Sequence, residues 1–260
     1  MTVPLYTDGF PERPAYAEAL THALLLQANE GELDEAVRLC VPGRLVSFGK
    51  LDAFAPGFAA AVAATERAGF AAVHRVGGGR AAVFHEGTIL FSHIVRDEDP
   101  RPHTHDRYRW LAAATLEALH ALGVDDARVG AVPGEYCPGD YSLGAGRIKL
   151  VGIAQRIVRR AACTQGVLVV EGGDLVRAVL EPVYEAMGFD WDPATAGDLG
   201  GIGMADALAA LRAAFEKRLP LAEARLDPAT LARAAELEPA HDASVPHPDG
   251  PETEPARVRG

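Results

Sequence analysis

Between residues 37 and 171 the chain lays down extended, β-branched and aromatic runs in blocks, with single helical stretches between blocks rather than after every strand. That grouping constrains the fold most. Strict alternation of strand and helix would commit the chain to a parallel sheet wrapped by helices. Strands that follow one another within a few residues must instead pair antiparallel or enter different sheets. The expected class is therefore α+β, with mixed or antiparallel β-sheets packed with helices.

The pattern predicts individual elements. Apolar residues at helical spacing over 15–29, closed by Gly31, predict a first helix. Runs at 37–41 and 44–48, split by Pro42-Gly43, predict two strands or one hairpin. Residues 56–68 predict a second helix; 71–74, 81–84 and 88–95 predict strands; 104–122 predict a long helix and 127–132 a further strand. The glycine- and proline-rich stretch 133–146 predicts loop and hairpin. Runs at 148–155 and 166–171 predict neighbouring strands joined by the arginine-rich 156–160, and 174–187 and 204–218 predict helices. Beyond Pro220, residues 227–238 predict an isolated helix. Residues 241–260 are proline-rich, charged and nearly free of large apolar side chains, which predicts disorder. The expected organisation is a folded unit over 1–221 and, over 222–260, a disordered tail with a short helix.

Composition excludes several classes of function. The 260 residues carry 25 Lys+Arg against 36 Asp+Glu, a net charge of −11, which argues against nonspecific binding to nucleic acid. No run approaches the roughly 18 apolar residues of a membrane span, and the N-terminus lacks the basic and apolar regions of an export signal. Cys40, Cys137 and Cys163 lie far apart with no zinc spacing, so neither a disulfide framework nor a structural metal is expected. These features fit a cytoplasmic protein that neither enters nor binds a membrane. No fixed-period repeat is visible.

Three features can carry chemistry. Gly77-Gly78-Gly79, flanked by Arg75 and Arg80, offers backbone without side chains to a ligand or, alternatively, forms a hairpin tip. Its spacing fits neither dinucleotide-binding nor P-loop fingerprints. Lys149, one of three lysines, lies in the apolar run 148–155 with Gly152. It either points inward and polarises an oxygen or sits on the solvent face of an edge strand. Cys137, between Tyr136 and Pro138, occupies a loop where a nearby cation would favour the thiolate; Cys40 and Cys163 read as packed small hydrophobes. His103-Thr104-His105 and the other histidines lack a matching ligand pattern, so no metal is expected. No GxSxG supports a serine hydrolase.

The succession Arg75-Val76-Gly77-Gly78-Gly79-Arg80 running to His85, then Tyr136-Cys137-Pro138-Gly139-Asp140-Tyr141-Ser142, then Lys149-Leu150-Val151-Gly152-Ile153-Ala154-Gln155-Arg156 resembles the lipoate-protein ligase A and octanoyltransferase family. Within it the likeness is greatest to the cysteine-dependent octanoyl amidotransferases. The resemblance covers roughly residues 15–220 and implies a biotin/lipoate ligase-like catalytic domain over 1–221. It implies an acyltransferase that moves an octanoyl or lipoyl group onto a lysine of lipoyl-carrier domains, of the glycine-cleavage H protein or dehydrogenase E2 type. Cys137 would carry the acyl-thioester and Lys149 would bind the acyl carbonyl oxygen. Arg75, Gly77, Gly78, Gly79, His85, Gly152 and Ala154 would line the substrate pocket. The transferase needs no cofactor. Two alternatives stand beside it: a ligase using ATP and Mg through lipoyl-AMP, whose motif His85 resembles, and an inactive carrier-domain binder. The basic group Arg156, Arg159 and Arg160 either docks an acidic carrier domain or forms a solvated turn.

Overall fold

The computed structural model describes residues 2–244. Its elements in chain order are β1 (Val3–Tyr6), α1 (Pro14–Glu30), β2 (Glu35–Cys40), β3 (Leu45–Phe48), α2 (Phe58–Arg67), β4 (Ala71–His74), β5 (Ala82–Phe84) and β6 (Thr88–Arg96). Then come α3 (Thr104–Ala121), β7 (Arg128–Val129), β8 (Leu143–Ala145), β9 (Ile148–Ile157), β10 (Ala161–Val169), α4 (Gly173–Met187), α5 (Met204–Glu216), β11 (Leu221–Glu223) and α6 (Pro228–Leu237).

The strands form an eight-stranded sheet in the order β11-β1-β2-β6-β10-β9-β8-β7 and a three-stranded sheet in the order β4-β3-β5. Both sheets are mixed. β1 runs parallel to β2 and β11, the β6-β10-β9 centre is antiparallel, and β3 pairs parallel with β4 but antiparallel with β5. This is the α+β arrangement the blockwise pattern implies. Every residue of β10 is buried, as a strand covered on both faces requires.

Helices cover the sheets by their apolar stripes. α4 turns Val176, Val179, Leu180, Val183 and Met187 inward at i, i+3, i+4, i+7 spacing, and these join α2 and the small sheet in one core. Each such fully buried aliphatic contributes about 1.5–3 kcal/mol. A second core lies where α3 and α5 cover Leu39, Phe91, Leu150 and Val151 of the large sheet.

Four expectations are adjusted. The runs on either side of Pro42-Gly43 do not form a hairpin: β2 pairs with β1 and β6, and β3 crosses into the small sheet. The strand expected at 127–132 shortens to Arg128–Val129, because Gly130 adopts φ +143° and Pro133 follows. The arginine-rich connection contracts to residues 158–160, since β9 and β10 pair as far as Ala162↔Ile157. The helix expected to stand isolated after residue 226 instead packs on α1, burying Thr230 and Ala234. Asp227 caps it by accepting the Thr230 N–H at 2.9 Å. His241 beyond it is buried, with its Nδ1 2.6 Å from the His74 carbonyl and its Nε2 3.1 Å from His22 Nδ1. β11 also extends the large sheet. Residues 245–260 of the expected tail lie outside the described residues. Among the described residues no helix is long and apolar enough to cross a membrane.

Candidate active site

Where the small sheet meets β9 and β10, two loops close a cavity of about 290 Å³. Ala82 and Phe84 from β5, Ile153 and Ala154 from β9, and Val167 from β10 give it apolar walls. Arg75, Gly78 and Gly79 close one side and the bend 136–141 the other.

Cys137 is at the centre of that bend. It adopts φ +43°, a left-handed conformation that costs a residue with a Cβ about 1–3 kcal/mol. Surrounding contacts hold it there. The Cys137 N–H donates to the Tyr184 hydroxyl at 2.8 Å, and that hydroxyl donates to the Ala81 carbonyl at 3.0 Å. Burial keeps the Tyr184 hydroxyl protonated, well above the ordinary phenol range. From below, Lys149 Nζ donates to the carbonyls of Tyr136 at 2.8 Å and Cys137 at 2.7 Å, and pairs with Glu135 Oε2 at 3.1 Å. The other Glu135 oxygen accepts the Gly139 N–H and the Ser142 hydroxyl, both at 3.0 Å. Lysine and glutamate are both buried, and each neutralises the other.

The sulfur is half-buried between cations. It lies 3.2 Å from the Arg80 backbone N and 3.6 Å from Arg75 Nη2. Burial pushes the thiol up. The charges of Arg75 and Lys149, the Arg80 N–H and the Arg75 hydrogen bond outweigh it, and the thiol falls below its ordinary value. Gly79 is required here: at φ +98°, a Cβ would come within 2.8 Å of Cys137 Sγ and 2.7 Å of Arg75 Nη2. Such an arrangement places a thiol with a lowered pKa against an apolar chamber, a combination suited to acyl transfer through sulfur.

Of the nine residues expected at the site, Cys137, Lys149, Arg75, Gly78, Gly79, Gly152 and Ala154 all line the cavity. Lys149 points inward, at 1% exposure, which eliminates the surface-lysine alternative. Gly77 is buried and borders a neighbouring cavity of about 290 Å³ with Lys50, Tyr108 and Arg156, which shares Gly78 and Tyr108 with the first. His85 is elsewhere. Side chains alternate along β5, so Phe84 facing the cavity sends His85 to the far side, where its Nδ1 accepts the Gly87 N–H at 3.0 Å and burial lowers its pKa. Of the arginine group, Arg160 pairs with Glu98 at 2.8 Å and Arg156 borders the second cavity.

Glu135, Tyr184 and Gln165 complete the site from outside the three sequence features that can carry chemistry. Glu135 was signalled by an acid two residues before Cys137 and in need of a partner once Lys149 turned inward. Tyr184 lies on the apolar stripe of α4 and reads as core; its hydroxyl gave no signal. Gln165 lines the cavity, and its buried Oε1 has no hydrogen-bond partner. His103 faces Asp97 at 2.7 Å and His105 faces the Tyr141 hydroxyl at 3.0 Å. Among the described residues no three His, Cys, Asp or Glu side chains are grouped to hold a metal.

Known proteins share both sequence and fold with this chain. Over 164 residues it is 32% identical to the octanoyl-[GcvH]:protein N-octanoyltransferase of Geobacillus kaustophilus, covering 62% of this chain and 57% of that protein. Over 171 residues it is 29% identical to the protein of the same name from Oceanobacillus iheyensis, covering 66% and 61%. The chain thus spans less than two thirds of the length of these relatives. Its fold matches a lipoate-protein ligase A bound with ATP, with a TM-score of 0.73 at 20% identity over 94% of this chain and 99% of that one. It also matches a bipartite lipoate protein ligase from Thermoplasma acidophilum, solved in a study of the ligase and its E2 lipoyl domain, with a TM-score of 0.69 at 17% identity over 94% and 97%. The family model described as the lipoyl protein ligase A/B catalytic domain matches residues 13–186, and the chain belongs to that family.

Proposed function

We propose that this protein is an acyltransferase that moves an octanoyl or lipoyl group between lipoyl-carrier domains through a thioester on Cys137. One observation carries the reading: a thiol lowered by two cations and a backbone N–H lines an apolar cavity of about 290 Å³. The relatives named for octanoyl transfer from GcvH, and the ligase studied with its E2 lipoyl domain, support both the acyl group and the carriers.

The donor is an acyl-lysine amide. Cys137 Sγ attacks its carbonyl carbon, with the chain in the cavity and the backbone N–H groups of Gly78 and Gly79 facing the developing oxyanion. The C–N bond breaks, and the donor lysine leaves as an amine after taking up a proton. The ε-amine of the acceptor lysine, with its proton lost, then attacks the thioester, the C–S bond breaks, and the thiolate returns. Lys149 donates to the carbonyls of Tyr136 and Cys137, and its charge is paired with Glu135 Oε2 at 3.1 Å. We assign it to holding the bend and favouring the thiolate by its charge.

The transfer needs no cofactor. The residues we assign to the site are Cys137, Lys149, Arg75, Gly78, Gly79, Gly152 and Ala154. The catalytic domain we assign includes the packed C-terminal segment to residue 244. The test is intact-mass measurement of the protein incubated with octanoyl-carrier, with and without ATP. A gain of one octanoyl group, independent of ATP and absent from Cys137→Ala, is expected. ATP-dependent pyrophosphate release with free lipoate, undiminished in Cys137→Ala, would replace this reading with the ligase.

A further inference from the structure

The sulfur of Cys137 is met by a backbone N–H whose own residue is anchored from outside the cavity. Arg80 donates that N–H at 3.2 Å. Its carbonyl accepts from the Arg75 guanidinium. Its guanidinium lies 4.0 Å over the Phe189 ring and donates through Nη1 to Asp52 Oδ1 at 3.2 Å. Asp52 is fully buried, and its second oxygen accepts the Gly49 N–H at 2.9 Å. Gly49 in turn lies against Gly79, where a Cβ would come within 1.8 Å of the Gly79 carbonyl. The turn after β3 and the glycine segment are therefore locked together through one carboxylate. Asp52 lines neither cavity.

A buried carboxylate on a surface turn carries a desolvation cost, which is why burial raises its pKa against the pull of Gly49, Arg80 and Arg75. Surface architecture alone does not require it: Leu51 beside it is 67% exposed and Phe54 is 49% exposed. What the carboxylate alone does is join Gly49 to Arg80.

We propose that Asp52 is a positioning residue of the transfer reaction, which clamps Arg80 so that its backbone N–H stays on the Cys137 sulfur. The inference rests on the reading of Cys137 as the nucleophile. Electrostatics and positioning give opposite signs, which makes the role measurable. Deleting an anion near a thiolate, and freeing Arg75 and Arg80 from it, favours the thiolate. Releasing the Arg80 N–H disfavours it.

The experiment is the pH dependence of iodoacetamide alkylation at Cys137, located by mass, in the full chain and in Asp52→Ala. Cys40 and Cys163 are buried thiols raised by burial, so the adduct reports Cys137 alone. Asp52→Ala is expected to shift the alkylation profile upward in pH and to slow alkylation below the thiol pKa by about tenfold, the worth of one hydrogen bond. Transfer kcat should fall with KM for carrier little changed. Asp52→Asn, which keeps the shape and one acceptor, should shift the same way by less, and it decides the question if Asp52→Ala does not fold. Leu51→Ser on the same turn should leave the profile unmoved. A profile that stays in place or moves to lower pH in a folded Asp52 variant overturns the clamp. Alkylation needs no carrier, so a shifted profile in a protein that transfers no acyl group would remove the transferase reading and leave the clamp standing.

Discussion

The bend that carries Cys137 and the central strand that carries Cys163 present the same thiol in two settings. Burial pushes both thiols up. In β10 nothing sufficient opposes it, and Cys163, at 1% exposure, is raised far above the ordinary range; the charge of Glu18 adds to the rise. In the bend, Arg75, Lys149 and the Arg80 N–H reverse the sign. Reactivity is thus placed by charge supply together with access from the cavity. The largest test of the contrast is deletion of each sulfur. Cys137→Ala should lower octanoyl transfer by at least about 10⁴-fold, as loss of a nucleophile does. Cys163→Ala should leave it within about twofold while costing some stability from the small cavity. Equal losses in the two variants, measured as transfer at saturating carrier, would erase the distinction.

The bend differs from the strand in a second respect: its polar groups are buried and paired, while β10 is held by ladder hydrogen bonds and apolar contacts. Lys149→Met leaves Glu135 buried without its cation. The expected destabilisation is about 3–5 kcal/mol in urea unfolding, the usual result of breaking a buried pair. Glu135→Gln combined with Lys149→Met should recover much of it, because no charge is then stranded. A single variant as stable as the wild type would mean that the pair contributes nothing to holding the bend.

This contrast also explains what was legible in the sequence. β6 and the second half of β10 announce themselves because their side chains are selected for burial, and α4 because its apolar residues recur at helical spacing; the first half of β10, Ala161–Gln165, carries small and polar residues and does not. The glycine segment, Cys137 and Lys149 stood out as residues unlike their surroundings. Partnerships were not legible. That Glu135 meets Lys149, or Tyr184 meets the Cys137 N–H 47 residues away, follows from three-dimensional packing and leaves no period or spacing behind. His85 was misplaced for a related reason: a motif fixes the order of residues, while strand alternation decides which of them faces the cavity. The C-terminal helix is hard to place from sequence because its alanines are too small to mark a core stripe, yet Ala234, Leu231 and Leu237 pack on α1 and Thr230 meets Gln27.

Arg75 supplies the largest of the charge effects that lower the Cys137 thiol, and its removal leaves the buried Asp52 still bonded to Arg80 and Gly49. Arg75→Met should move the alkylation profile of Cys137 upward by about one pH unit, a tenfold loss of thiolate at neutral pH, and lower transfer to a similar extent. The same substitution should leave Cys163 silent to alkylation until the protein unfolds. If Arg75→Met leaves the profile in place, the sulfur is controlled by its backbone donor and Lys149, and the contrast between the two thiols rests on the bend alone.

The smallest effect gives the sharpest form of the comparison, because the two thiols act on stability with opposite signs. The folded state lowers the pKa of Cys137, so above the folded value and up to the unfolded one the native protein binds fewer protons, and this group adds stability as pH rises. The folded state raises the pKa of Cys163, so once pH passes the unfolded value the unfolded chain releases its proton first, and this group subtracts stability. Urea unfolding of the wild type, Cys137→Ala and Cys163→Ala across the alkaline range isolates each contribution by difference. Other groups titrating there cancel between variants. The Cys137 difference should grow in favour of the wild type as pH approaches the unfolded thiol value. The Cys163 difference should turn against it beyond that value, by about 1 kcal/mol per pH unit. Two differences of the same sign would mean that the bend treats its sulfur as the core does, and the thiolate assigned to Cys137 would have no physical basis.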